Sequence, residues 1–118
     1  MSNFKVIFYD KADGTKPAEE FIESLDEKMQ AKVLRTINLL QNNGKELREP
    51  FSKYLQDGIF ELRARVGTDI SRVLYFFIIG QQVILTHGFI KKTNKTPQSE
   101  IDRAKRYRRE YLERTGGK

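Results

Sequence analysis

Between Arg72 and Pro97 the chain collects an arginine, its only histidine and three lysines, in the order Arg72, His87, Lys91, Lys92 and Lys95, around a long apolar run. Each type suits chemistry on a polyanion. An imidazole can take or give a proton near neutrality. A guanidinium can grip two phosphate oxygens at once. The ammonium groups of KKTNK can hold a phosphate backbone without reading sequence. Gly88 leaves room for a backbone or substrate to approach. Lys91 and Lys92 are expected to lower the pKa of His87 by like-charge proximity, leaving a neutral imidazole to act as a base. The plainer alternatives are a hydrogen-bonded structural histidine near a strand end and a solvated loop ahead of a helix.

These residues need a scaffold, and the hydrophobic pattern supplies one. FKVIFY (Phe4 to Tyr9) reads as a strand closed by the turn-forming KADG. Pro17, Glu19 and Glu20 suit a first helical turn, with Phe21, Ile22 and Leu25 as its apolar stripe. Asp26 can cap a second helix, in which Met29, Val33, Ile37 and Leu40 recur at helical spacing before Asn42, Asn43 and Gly44 end it. A polar connector follows. Ile59 to Val66 then alternates, with Phe60, Leu62, Ala64 and Val66 expected in the core and Glu61, Arg63 and Arg65 on a wet, charged face. SRVLYFFII and QVILTHGF complete an antiparallel meander across a turn at Gly80 and Gln81, the first of them apolar on both sides as a covered central strand should be. Thr96 and Pro97 are expected as N-cap and first residue of a terminal helix that lays Ile101, Ala104, Tyr107, Tyr111 and Leu112 on the sheet. The expected fold is α+β, in the order β-α-α-β-β-β-α. Its antiparallel sheet core packs against an N-terminal helical hairpin and a C-terminal helix.

A chain of 118 residues supports one domain, spanning 1–118, with a single core. Cysteine is absent, which excludes disulfides, iron–sulfur ligation and thiolate zinc sites. The start, MSNFKVIFYD, has no leader pattern and no run is long and apolar enough to span a bilayer, so a soluble cytoplasmic protein is expected. The net charge of +6 is unevenly spread. Residues 1–58 carry 9 Lys or Arg against 10 Asp or Glu, while residues 59–118 carry 13 against 6. Such asymmetry concentrates polyanions near the second half, although KRYRREYLER reads equally well as a solvated helix face.

Four segments in order, LREPFSKYL, GIFELR, RVLYFF and HGFIKKTNKTP, together with the helix pair around KPAEEFIESL, resemble the phage Gp49-like or HigB-type branch of the RelE/ParE toxin superfamily. The resemblance covers nearly the whole chain. It implies a small RelE-like fold and the toxin of a type II toxin–antitoxin system that cleaves messenger RNA on the translating ribosome, with a HigA-type helix-turn-helix antitoxin as partner. It also implies that Arg72, in the matching RVLY-type segment, helps stabilise the scissile phosphate.

Metal-free RNA cleavage needs a group to deprotonate the 2′-hydroxyl, a group to protonate the departing 5′-oxygen, and cations for the charge that builds on phosphorus. Arg72, His87, Lys91 and Lys92 are the expected catalytic set, with His87 as general base or acid. Arg63, Arg65 and Lys95 are expected to bind substrate, and pairing of Arg63 with Glu61 is the competing role for that arginine. Carboxylates are scarce in the basic half, so no catalytic metal or other cofactor is expected. The stacking group stays open: no tyrosine follows the lysine loop until Tyr107, and Tyr54 and Tyr75 both read more naturally as packing residues. Two rivals keep the fold and change the function. One is a ParE-like gyrase poison, the other a noncatalytic nucleic-acid-binding adaptor.

Overall fold

The computed structural model describes residues 3–117. The first strand, β1 (Lys5–Phe8), is followed by helices α1 (Pro17–Ser24) and α2 (Glu27–Asn43) and a 3-10 turn at Gly44–Glu46. Strands β2 (Ser52–Gln56), β3 (Ile59–Val66), β4 (Asp69–Ile78) and β5 (Gln82–Lys91) come next, and helix α3 (Gln98–Thr115) closes the described chain. The α+β architecture expected from the sequence is present, with one strand more than expected.

That additional strand is β2, which forms the edge of a five-stranded sheet ordered β1-β5-β4-β3-β2. FSKYLQ was legible only as a polar connector because an edge strand need not alternate cleanly. Lys53 and Tyr54 are both exposed. β2 to β5 pair antiparallel, whereas β1 joins β5 in parallel, which is possible because the two helices intervene in the chain.

Helices cover both faces. α1 lies over β5 and α2 over β3, burying Ile22, Met29, Val33 and Leu40 against Leu62, Ala64, Val73, Tyr75, Val83 and Leu85. α3 covers the opposite face, where Ala104 and Tyr111 meet Ile59, Leu74, Phe76 and Ile84. The sheet is therefore a middle layer, and β4, third of its five strands, is buried on both sides.

Local signals end the helices where the sequence indicates. Pro17 begins α1, the Asp26 carboxylate accepts the Met29 N–H at 2.9 Å, and Gly44 ends α2 with φ +54°. A Cβ on Gly44 would collide with the Phe4 ring at 2.0 Å, so close packing as well as backbone conformation selects glycine there. At α3 the expectation shifts by one residue. Pro97 is the N-cap and Gln98 the first helical residue. Thr96 does not cap the helix, because its hydroxyl is drawn down to the buried Glu61 carboxylate.

Candidate nucleic-acid interface

The face of β3 expected to be wet is covered by α3 and by the segment that leads into it. Glu61 is 0 % exposed. Its carboxylate contacts Arg63 Nε through one oxygen and accepts the Thr96 hydroxyl through the other, with Arg72 Nε 3.6 Å from that second oxygen. Arg63 and Arg72 are direct cross-strand partners, and two like charges so placed repel unless an anion lies between them. Glu61 supplies that anion.

Both arginines then hold the segment between β5 and α3. Arg72 donates from Nη2 to the Thr93 carbonyl and from Nη1 to the Lys91 carbonyl at 3.4 Å, while Arg63 Nη2 donates to the Asn94 carbonyl at 2.6 Å. Backbone carbonyls of an irregular segment need donors, and these guanidiniums provide them.

Holding residues 91–96 in this way opens a groove of about 350 Å³ between that segment, β2 and the start of α3. Lys53, Tyr54, Leu55, Arg63, Asn94, Lys95, Thr96 and Ile101 line it. Three of these carry positive charge and none is a carboxylate. The arrangement can bind a phosphodiester in a pocket with a partly apolar floor.

Residues 20–109 match the family described as Phage derived protein Gp49-like (DUF891). The chain belongs to this family. The matched stretch contains every residue lining the groove, and membership agrees with the RelE/ParE-like resemblance at the level of the wider superfamily. No curated protein matches the chain.

In this Gp49-like protein the expected site residues divide into three groups. Arg63 and Lys95 meet at the groove, and Arg65 stands in an adjoining hollow of about 300 Å³ that Arg63 also lines. Lys91 and Lys92 are exposed but line neither, and the Lys92 ammonium bonds to Asp69 at 2.6 Å. Arg72 and His87 are buried, at 0 % and 3 % exposure. Arg72 does meet the lysine segment, but through main-chain carbonyls rather than lysine side chains. Burial lowers its pKa, Arg63 and Arg65 add to that, and Glu61 opposes it. Guanidinium nonetheless stays charged.

His87 owes its place to a bulge. Leu74 pairs with His87 and Tyr75 with Leu85, so Thr86 is an extra residue in β5. Strict alternation would put His87 on the α1 and α2 side with Leu85, and the bulge turns it under α3. There Nε2 lies 3.0 Å from Glu100 Oε1 and Nδ1 3.1 Å from the Thr86 hydroxyl, with the Tyr107 ring edge-on. The pKa of His87 is pushed down to about 4. A neutral imidazole is as expected, but its cause is different. Burial is the main contribution, with Arg103 and Arg106 adding to it against the opposing Glu100, and neither Lys91 nor Lys92 is among the leading causes. A carboxylate only accepts, so the neutral ring places its proton on Nε2 toward Glu100. Gly88 is also corrected: a Cβ there would meet the Phe21 ring of α1 at 2.3 Å, so the glycine makes room for packing rather than for substrate.

Sequence reasoning missed Lys53, Asn94 and Glu100, and gave Tyr54 to packing. Lys53 and Tyr54 lie on the unforeseen edge strand. Pairing of Glu61 with Arg63 was weighed and is present, but the burial of Glu61 was not foreseen, because nothing local says that α3 folds back over it. Among the described residues no group of three or more His, Asp or Glu side chains gathers as metal ligands, and no helix is long and apolar enough to cross a membrane.

Proposed function

We propose that this Gp49-like protein is a HigB-type toxin of a type II toxin–antitoxin system, an endonuclease that cuts messenger RNA on the translating ribosome, with the groove between β2, β3 and residues 91–96 as its RNA site. The observation that carries the reading is the lining of that groove: Lys53, Arg63 and Lys95 converge on one hollow with no carboxylate among them. A phosphodiester there would gain charge-assisted hydrogen bonds from three cations.

In the proposed reaction the 2′-oxygen attacks phosphorus and the bond to the 5′-oxygen breaks, leaving a 2′,3′-cyclic phosphate and a 5′-hydroxyl. The 2′-hydroxyl proton passes to water, and one lysine of the groove, as ammonium, protonates the departing oxygen. Arg63 faces the charge that builds on the phosphoryl oxygens. Arg72 and Glu61 act beneath it as positioning residues. His87, closed off by Glu100 and Thr86, fixes α3 against the sheet instead of moving a proton. No metal or cofactor takes part in this scheme. The groove is open and carries no accessible imidazole, so in-line geometry would come from the ribosome holding the message, which suits an enzyme that acts only there. A HigA-type helix-turn-helix antitoxin would silence it by covering the cations.

The test adds purified protein to a translation reaction and maps RNA ends by primer extension, with naked RNA and gyrase supercoiling assays in parallel. Cuts on translated RNA alone, abolished by Arg63→Ala, are expected. Intact messages with lost supercoiling would replace this reading with gyrase poisoning.

A further inference from the structure

Successive side chains of a strand leave opposite faces, and at the edge strand β2 this places two hollows back to back. Lys53 pairs across from Glu61 and so shares the groove face with Arg63, whereas Tyr54 pairs across from Phe60 on the other face. A hollow of about 440 Å³ opens on that other side, bounded by Lys45, Arg48, Tyr54 and Phe60, with Glu49 as its one carboxylate against three cations, Lys53 included. The two hollows share Lys53 and Tyr54 in their walls, so they adjoin at the edge of the sheet.

Tyr54 is unlike the other four tyrosines. Tyr9, Tyr75, Tyr107 and Tyr111 are buried or half-buried within the packing of the sheet and helices, while Tyr54 is 55 % exposed and belongs to neither core. Its ring is nevertheless held. It stands edge-on to Phe60 at 5.1 Å, and its hydroxyl accepts the Gly58 N–H at 3.1 Å. Beside it, Arg48 Nη1 donates to the carbonyls of Lys45 at 2.7 Å and Leu47 at 3.3 Å, which fixes the guanidinium on the wall. Lys45 stands over the Phe77 ring at 5.6 Å. An exposed, restrained aromatic flanked by fixed cations is the combination that binds single-stranded nucleic acid, one part stacking a base and the other holding phosphates.

We propose that this hollow is a flanking subsite for the same single-stranded RNA, with Tyr54 stacking a base and Lys45 and Arg48 holding the neighbouring phosphates as the strand crosses the edge of β2. The inference rests on the groove being an RNA site, and its failure is separable from the failure of that reading. Charge separates RNA from an acidic protein segment less well than the aromatic does, because stacking needs a base.

The experiment measures fluorescence anisotropy of a short labelled oligouridylate, enough to fill one hollow, and of a longer one that reaches both, with the full chain. The longer RNA is expected to bind more tightly. Tyr54→Ala should weaken it about tenfold while Tyr54→Phe does not. Lys45→Ala with Arg48→Ala should lower the slope of log affinity against log salt by about 1.4 for the longer RNA, leaving the short one unchanged. If the short RNA depends on Arg63 and Lys95 but the longer gains nothing from Tyr54, Lys45 and Arg48, the flanking subsite is wrong and the groove stands. If neither RNA binds, both are wrong. If the variants lose affinity for polyglutamate and not for RNA, the hollow serves an acidic protein.

Discussion

Two charged clusters stand on the α3 face of the sheet and meet at Arg63, one closed and pairing acids with bases, the other open and made of cations alone. Under α3 and residues 91–96, Glu61, Arg72, His87 and Glu100 are buried or nearly so, and every one is engaged by a partner of the fold. A few residues away, Lys53, Arg63 and Lys95 line an open groove. Arg63 belongs to both, with Nε turned to Glu61 and Nη2 to the Asn94 carbonyl. The difference teaches that residue type nominates chemistry, whereas burial and pairing decide whether a side chain is available for it. The inner cluster spends its charge on shaping the outer one.

That contrast predicts stability effects inside and binding effects outside. The largest effect is expected for Glu61→Ala, which leaves a buried guanidinium without its anion and should cost about 3–5 kcal/mol in urea unfolding. A loss below about 1 kcal/mol would mean that Arg72 finds water or another partner, and that the inner cluster is less closed than described. Gly88→Ala should follow, at about 1–3 kcal/mol, since the new methyl must displace Phe21. It should leave RNA affinity of the folded fraction unchanged.

His87 gives the comparison a pH axis. Its folded pKa, about 4, lies below the ordinary value of 6.5, so between these limits the unfolded chain binds the extra proton. Its contribution to stability is therefore complete above pH 6.5 and is lost as pH falls toward 4, with a slope of at most about 1.4 kcal/mol per pH unit. His87→Gln should remove that slope in a series of urea melts, and an unchanged profile would show that the ring is accessible to solvent. The smallest effect is expected for Lys92→Ala. Its pair with Asp69 leaves the two side chains 69 % and 47 % exposed, so the loss should stay under about 1 kcal/mol, with RNA cleavage intact.

The fold was legible because its signals are local. Asp26, Pro17 and Gly44 mark helix ends by their own chemistry, and the alternation of Phe60, Leu62, Ala64 and Val66 identifies the face that meets α2. The candidate site was legible only in part. Charge pointed to Arg63 and Lys95, which line one groove, but Glu61 and Arg72 could not be recognised as buried, because what buries them is a helix more than 25 residues farther along the chain. A single bulge residue, Thr86, carried His87 to a face that alternation would not assign. Lys53 and Tyr54 lie on an edge strand too exposed to leave a hydrophobic pattern, and there the sequence holds no periodic signal to read.

The central claim is that the outer cluster does the chemistry and the inner one only supports it. Its most direct test is the rate of messenger cleavage on translating ribosomes by Lys95→Ala and His87→Gln, each compared with wild type and corrected for the folded fraction from an unfolding curve. The account predicts that Lys95→Ala keeps its stability within about 0.5 kcal/mol and loses cleavage at least tenfold, while folded His87→Gln cuts at close to the wild-type rate. Full cleavage by Lys95→Ala, together with its loss in folded His87→Gln, would contradict the account.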